Sequence, residues 1–397
     1  MTKKQPSIGI LRPTWRVCVS NRSTHQFSLG GLLAVCGPQF HLLAPPGLTL
    51  TTVCLDDVPL TFGVIPSGDP AFDPQSPKDA DRVLIKVKAF SCDYRDKALI
   101  FRALHTNPAY TFKAIGSEFV AEVKAVGANV GDLKPGDRVM ADSHYVDGRP
   151  YDGLPTNLAS REFLILYRHK LALIPDTMSD EVAASFSLGA QTAHSLVRKL
   201  GAGSGDSVLV TAARSNTSLF ALQVLRRFGV NAYVTTTSAD FDDRFRALGV
   251  KGLFYLEPGA KGLSDHPQLI QISADLGGFD GILDPFANLH LPHILQYLKP
   301  GGRYITCGAQ HNFGPNGQPE DARIYAEALS TAMYRNLSLI GNCVGLTEDL
   351  QRGLADYAQG DLDAIVDSVF EGDQVGPFIN RTFNDPERFG KVVFRYI

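Results

Sequence analysis

The stretch GDSVLVTAARSNTSLFALQVLRRFG, residues 205–229, decides how this chain is read. VLVTAA (208–213) is a short apolar run, the pattern of a strand covered on both faces. LFALQVLRRFG (219–229) has apolar residues at helical spacing and closes on Gly229. Between them, VTAARSNTS (210–218) turns a strand into a helix without a single glycine. Such a turn, at the carboxyl end of a strand and the start of a helix, is where open α/β sheets hold phosphate groups.

Outward from this stretch the same unit repeats. NAYVTTT (231–237) reads as a strand and DFDDRFRALG (240–249) as a helix closed by glycine. GLFYL (252–256), GILD (281–284) and RYITCG (303–308) are further short strands. Upstream, Ser179 is placed to N-cap a helix with Asp180 and Glu181 in its first turn. Strands alternating with helices imply a parallel sheet with helices on both faces, a doubly wound α/β fold. The first half is different. RVLIKVKAF (82–90), GSEFVAEVKAVG (116–127), LKPGDRVMA (133–141) and REFLILYRHKLALIPD (161–176) read as strands, after extended segments in 48–65 and a Pro- and Asp-rich loop at 67–81. NLSLIGNCVG and GKVVFRY return to β character near the end.

Composition narrows the function classes. The 397 residues are 44% hydrophobic and 20% charged with a net charge of −3, which argues against a basic nucleic-acid surface. No apolar stretch approaches the roughly 18 residues of a membrane span. FSLGGLLAV (27–35) is apolar, but a long polar stretch separates it from Lys3 and Lys4, so it reads as a strand or buried loop rather than a secretory leader. The six cysteines contain no CxxC pair, which fits a reducing cytoplasm.

Several segments, in order, resemble the medium-chain dehydrogenase/reductase superfamily and its zinc-free quinone oxidoreductase-like branch. They are SCDYRD (91–96), GSEFVAEVKAVGANVGDLKPGDRV (116–139), QTAHSLV (191–197), GDSVLV (205–210), LDPFAN (283–288), LKPGGRYITCG (298–308) and GKVVF (390–394). The resemblance covers about residues 48–397 and implies a split GroES-like β-domain (48–185 and 335–397) around a Rossmann cofactor domain (186–334). It leaves 1–47 as an N-terminal extension that caps the cleft, joins the β-domain or mediates assembly. It also implies a homodimer acting on a small molecule, with neither nucleic acid nor membrane as partner.

Matched position by position, the zinc ligands of related alcohol dehydrogenases fall on Asp93, Ser117 and Leu188, with Cys92 one residue off. No metal is therefore expected; a site built from Asp93, Glu118 and His144 is the alternative. The loop of relatives, VTGAAGGVG, becomes VTAARSNTS. Asn tolerates positive φ, so Asn216 is the expected stand-in for a turn glycine. Ala213, Arg214, Ser215, Asn216 and Thr217 are the expected phosphate contacts; in the opposing reading their side chains block the pyrophosphate. The next strand ends in TTTS, and Thr236, Thr237 and Ser238 without an acid suit a 2′-phosphate, so NADPH is expected rather than NADH. Thr192, Gly308 and Asn342 complete the expected cofactor contacts.

For chemistry, Tyr94 is a candidate proton donor or a packed aromatic, and Asp93 a substrate contact or acid, or a loop carboxylate paired with Arg95. Arg95 and Asp96 are expected to form an ion pair. Ser117, His144 and Tyr145 are expected at the substrate side, Glu118 and Cys92 as structural, and His194 as packing. The function implied is reduction of an activated, enone-like C=C bond or a quinone by hydride transfer, with a specialised role such as secondary metabolism. A non-catalytic or cofactor-independent binding protein and a zinc-independent dehydrogenase are the alternatives on the same fold.

Overall fold

The computed structural model describes residues 30–37, 48–67, 70–106, 112–144, 158–257, 262–308 and 322–396. The strands are β1 (Gly30–Cys36), β2 (Leu50–Leu55), β3 (Val58–Ser67), β4 (Arg82–Ser91), β5 (Phe112–Ala114), β6 (Glu118–Val126), β7 (Arg138–Ala141), β8 (Phe163–Tyr167), β9 (Leu171–Leu173), β10 (Ser207–Val210), β11 (Asn231–Thr236), β12 (Gly252–Tyr255), β13 (Phe279–Asp284), β14 (Leu298–Thr306), β15 (Ser338–Gly341), β16 (Val366–Glu371) and β17 (Lys391–Arg395). The helices are α1 (Tyr94–Thr106), α2 (Asp180–Ala183), α3 (Ser187–Leu200), α4 (Asn216–Arg227), α5 (Asp242–Ala247), α6 (Pro267–Leu276), α7 (Ala287–Ile294), α8 (Ala322–Tyr334), α9 (Thr347–Ala358) and α10 (Val375–Phe383).

β10 to β15 form a six-stranded sheet in the order β12-β11-β10-β13-β14-β15, with every neighbouring pair parallel. This is the dinucleotide-binding order, with the first strand at the centre and a switch point beside it. All four residues of β10 are buried, as a strand covered on both faces requires. On one face, α3 and α4 touch through Gly189; a β-carbon there would lie 2.5 Å from the Phe220 ring. Phe186 packs edge-on against Phe220 at 5.4 Å, an arrangement worth about 1 kcal/mol beyond burial.

The first half is β-rich. β4, β6, β7 and β9 join β17 and β16 in a seven-stranded sheet, with β8 on β4, so the C-terminal strands complete a sheet begun 300 residues earlier. A smaller sheet runs β2-β3-β1-β5. Two expected boundaries shift. β15 belongs to the parallel sheet, beyond the expected end at residue 334, because it pairs with β14 from Arg303↔Ser338 to Thr306↔Gly341. Gly30–Cys36, placed in an undefined extension, form a strand between β3 and β5. Leu33, Ala34 and Val35 there are fully buried, so this apolar run is sheet core. Residues 1–29 lie outside the described residues. Among the described residues no helix is long and apolar enough to cross a membrane.

Candidate active site

A cavity of roughly 670 Å³ opens where β10, β11, β13 and β14 end and β17 and α1 begin. It gathers Ala213, Arg214, Ser215, Asn216, Thr217, Thr236, Thr237, Thr192 and Gly308 with Asp93 and Tyr94. Gly308 is required by close approach, since a β-carbon would sit 2.6 Å from the Pro285 carbonyl oxygen.

The glycine-free loop is held by its own hydroxyls. Ser215 is the N-cap of α4, and its Oγ accepts from the Ser218 N–H at 3.1 Å. Ser218 Oγ donates to the Thr211 carbonyl at 3.0 Å, and the Ala213 N–H donates to the Thr235 carbonyl at 3.1 Å. Ala212, not Asn216, takes the positive-φ position, at +45°. Asn216 instead begins α4, where backbone dihedrals are helical, so the expected substitution of a turn glycine by Asn216 does not hold. Ser215 caps only the third N–H of the helix. Among the described residues no acceptor faces the N–H groups of Asn216 and Thr217, and both residues line the cavity. Asn216 Oδ1 is also buried without a partner. A helix start with free donors suits a pyrophosphate.

Arg214 reaches past the loop. Its guanidinium donates to the Pro386 carbonyl and, through Nη2, to Thr237 Oγ1 at 2.7 Å, and it lies over the Phe241 ring. It therefore faces the end of β11. Arg388, from the C-terminal segment, lines the same cavity. Burial lowers the pKa of both guanidiniums, and the charge of Arg214 lowers that of Arg388 further. Thr235, Thr236 and Thr237 line this end; Glu257, past β12, lines it too, and Asp385 is paired with Arg381 at 2.7 Å. Ser238 is not among the lining residues: its Oγ donates to Asp240 at 2.6 Å.

The Lys391 ammonium, its side chain 2% exposed, lines the same cavity, pairs with Asp93 and lies 2.7 Å from Glu118 Oε1. Burial opposes its charge, but the two carboxylates outweigh burial and raise its pKa. Burial also pushes Glu118 up to about 7, against the lowering effect of Lys391. Glu118 Oε2 accepts from the Leu188 N–H at 2.7 Å. Asp93 is thus paired with Lys391 from the far end of the chain. Asp96 is held by Ser117 Oγ at 2.5 Å and by the N–H groups of Gly116 and Asp93, with Arg95 acting on it through charge; burial raises it to about 6. Tyr94 packs edge-on against Phe286 at 5.4 Å on the cavity wall.

Three expected contacts lie elsewhere. Ser117 is fully buried on Asp96 and does not line the cavity. His144 is turned to Asp142 and Thr347, with Nδ1 2.9 Å from Thr347 Oγ1, and is also absent from the wall. Asn342 Oδ1 accepts from the Ser195 hydroxyl on α3, and its amide N–H donates to the Val344 carbonyl. Tyr145 lies outside the described residues. His194 is buried 3.2 Å from Asp356, and burial lowers its pKa to about 4. Among the described residues no group of three or more His, Cys, Asp or Glu side chains is placed to hold a metal ion.

Lys391, Arg388 and His290 line the cavity and were not singled out from sequence. Lys391 had a signal: a lysine opening an apolar β-run such as KVVF needs a buried partner. Arg388 carried none: its guanidinium donates locally to the Gly390 carbonyl, and only the fold brings it to a cavity shared with Arg214.

Residues 79–157 match the alcohol dehydrogenase GroES-like domain. That match, with the relatives and fold neighbours below, supports the medium-chain dehydrogenase/reductase superfamily and its quinone oxidoreductase-like branch. It is 26% identical to human quinone oxidoreductase over 59% of this chain and 66% of that protein. It is 27% identical to the spectinabilin polyketide synthase system protein NorB of Streptomyces orinoci, over 68% of this chain and 11% of that protein. The chain thus spans about a tenth of that polyketide synthase. In fold, the chain is similar to CurK enoyl reductase, with a TM-score of 0.65, 21% identity, and coverage of 88% and 99% of the two chains.

Proposed function

We propose that the chain is an NADPH-dependent reductase of an activated C=C bond, in an enone or α,β-unsaturated acyl group, or of a quinone. The observation that carries the reading is a single cavity joining the free N–H groups of α4, the guanidiniums of Arg214 and Arg388 and the Asp93–Lys391 pair. The residues fit a dinucleotide, which supplies a hydride when bound. Asn216 and Thr217 hold the pyrophosphate by their N–H groups, in line with the helix dipole. Arg214 and Arg388 take the 2′-phosphate, which relieves the repulsion between two half-buried guanidiniums. Thr192 and Gly308 flank the nicotinamide. Lys391, fixed by Asp93, stabilises the negative charge that develops on the substrate oxygen.

A reaction without zinc is supported by the donor set. Of the three matched ligand positions, Leu188 is apolar, Ser117 donates to Asp96, and Asp93 holds an ammonium. The substrate class is supported by the polyketide synthase and quinone oxidoreductase relatives. A reducing cytoplasmic setting is supported by the dispersed cysteines, and secondary metabolism by the polyketide synthase relatives. The division into a split β-domain and a central cofactor domain is retained, with β1 in the first and β15 in the second. A homodimer is supported by β15, an edge strand of the parallel sheet with mostly exposed residues, beside Leu329, Met333 and Tyr334 exposed on α8. The test of function is oxidation of NADPH, followed by absorbance, against a panel of enones, crotonyl-type thioesters and quinones. Saturable turnover supports the reading; no turnover with any class contradicts it.

A further inference from the structure

The cavity wall formed by β13 and α7 carries a second polar arrangement. Asp284, fully buried at the end of β13, has both oxygens occupied. Oδ1 accepts from Thr211 Oγ1 at 2.7 Å, from the Phe286 N–H at 2.8 Å and from His290 Nδ1 at 2.7 Å. Oδ2 accepts from the Tyr304 hydroxyl at 2.6 Å. Burial would raise this carboxyl, but the hydrogen bonds and charge of His290, with Tyr304 and Thr211, hold it below the ordinary range.

His290 on α7 is 3% exposed, yet it lines the cavity. Asp284 can only accept, so Nδ1 carries the proton between them. Nε2 is left as the functional end of the ring, and no partner for it is present among the described residues. An imidazole held at Nδ1 by a buried carboxylate has a fixed tautomer and orientation. The same wall carries Tyr94, whose ring packs on Phe286, the residue whose N–H binds Asp284.

The geometry points to His290 as the catalytic proton donor of the reduction, with Asp284 as its positioning residue. This rests on the reductase reading above, with reduced nicotinamide as the source of two electrons and a hydride. The hydride forms a C–H bond at the β-carbon, and the π pair of the C=C bond moves toward the carbonyl to give an enolate. The enolate α-carbon then takes the Nε2 proton of the imidazolium: a C–H bond forms, the N–H bond breaks, and neutral imidazole keeps its Nδ1 proton on Asp284. Water returns a proton to Nε2. Asp93 is not available for this step, since its carboxylate is held by Lys391.

The test uses His290→Gln, His290→Ala, Asp284→Asn and Tyr94→Phe in the full chain. Calorimetry with NADPH alone gives Kd, and turnover is followed on the best substrate of the panel. In cofactor-free protein, ¹⁵N NMR of labelled histidines reads the Nδ1–H on Asp284. The expected results are a kcat of His290→Gln lower by about 100-fold or more with Kd within about twofold, partial rescue of His290→Ala by imidazole, and a kcat loss in Tyr94→Phe smaller than in His290→Gln. A downfield Nδ1–H resonance, absent in His290→Gln and shifted in Asp284→Asn, is expected in the NMR spectra. A His290→Gln kcat within about threefold of wild type, or a Kd that weakens in step with kcat, overturns the proposal, as does the absence of that resonance from wild type. Wild type that reduces no member of the panel contradicts the reductase reading and the proposal together; active wild type with equally active His290→Gln contradicts the dyad alone.

Discussion

Lys391 Nζ lies 2.7 Å from Glu118 Oε1, a contact between the first residue of β17 and the first residue of β6. It places a buried ammonium beside the cavity, with Asp93 as its second carboxylate. One cation faces two acids, and both the stability and the chemistry of the site depend on that imbalance.

The first prediction concerns pH. Burial raises Glu118 from its ordinary 4.5 to about 7 in the folded chain. Between these values the folded state keeps a proton that the unfolded state has released. The contribution of Glu118 is therefore fully present below pH 4.5 and is lost as pH rises to about 7, by up to roughly 3 kcal/mol. Urea unfolding of wild type and Glu118→Gln across pH 4.5–7.5 should show a difference that grows with pH in favour of the variant. Parallel curves would show that Glu118 is ionised throughout.

Removing the cation should be worse than removing either acid. Lys391→Met removes the ammonium that pairs with the half-buried Asp93 and the fully buried Glu118 and should destabilise the chain by about 3–5 kcal/mol. Chemical denaturation measures this directly, and a loss under about 1 kcal/mol would mean that the pair is solvated.

Ala212 is held at φ +45°, in a region that L-residues other than glycine avoid by roughly 1–2 kcal/mol. Ala212→Gly should raise stability by up to about 1 kcal/mol after the entropy of glycine is counted. A lower urea midpoint would show instead that the Ala212 methyl packs in the loop.

Arg388 should set cofactor choice. Loss of one charge-assisted contact to a 2′-phosphate, about 1.5–3 kcal/mol, predicts NADPH binding 10- to 100-fold weaker in Arg388→Ala, with NADH binding unchanged. Equal losses for both dinucleotides would place Arg388 away from the 2′-phosphate.

Tyr334, 80% exposed on α8 beside the edge strand β15, tests assembly. Light scattering should give a dimer for wild type and a monomer for Tyr334→Glu. A monomeric wild type would contradict the homodimer.

The centre of the parallel sheet was legible because β10 and β11 are short strands each followed by a helix that closes on glycine, as in 205–229, whereas β15 was read into the β-domain. The residues of 213–217 that line the cavity were legible for the same reason: sequence position along a strand–turn–helix unit fixes position in space. The site residues contributed from far along the chain were not. Lys391 meets Asp93 across 298 residues, and nothing local marks the pair. Asn216 was the expected positive-φ residue on propensity alone, but the Ser215 cap starts the helix there and moves the strained position to Ala212. β1 was obscured because Leu32–Cys36 are all buried, so the alternation that marks a half-exposed strand is missing.

The central claim is that a loop without glycine still holds a phosphorylated dinucleotide. Calorimetric titration of the substrate-free chain with NADPH, then NADH, tests it most directly. The account predicts micromolar NADPH binding and NADH binding at least about tenfold weaker, from a charge-assisted phosphate contact of roughly 1.5 kcal/mol or more. Failure of either dinucleotide to bind would contradict it.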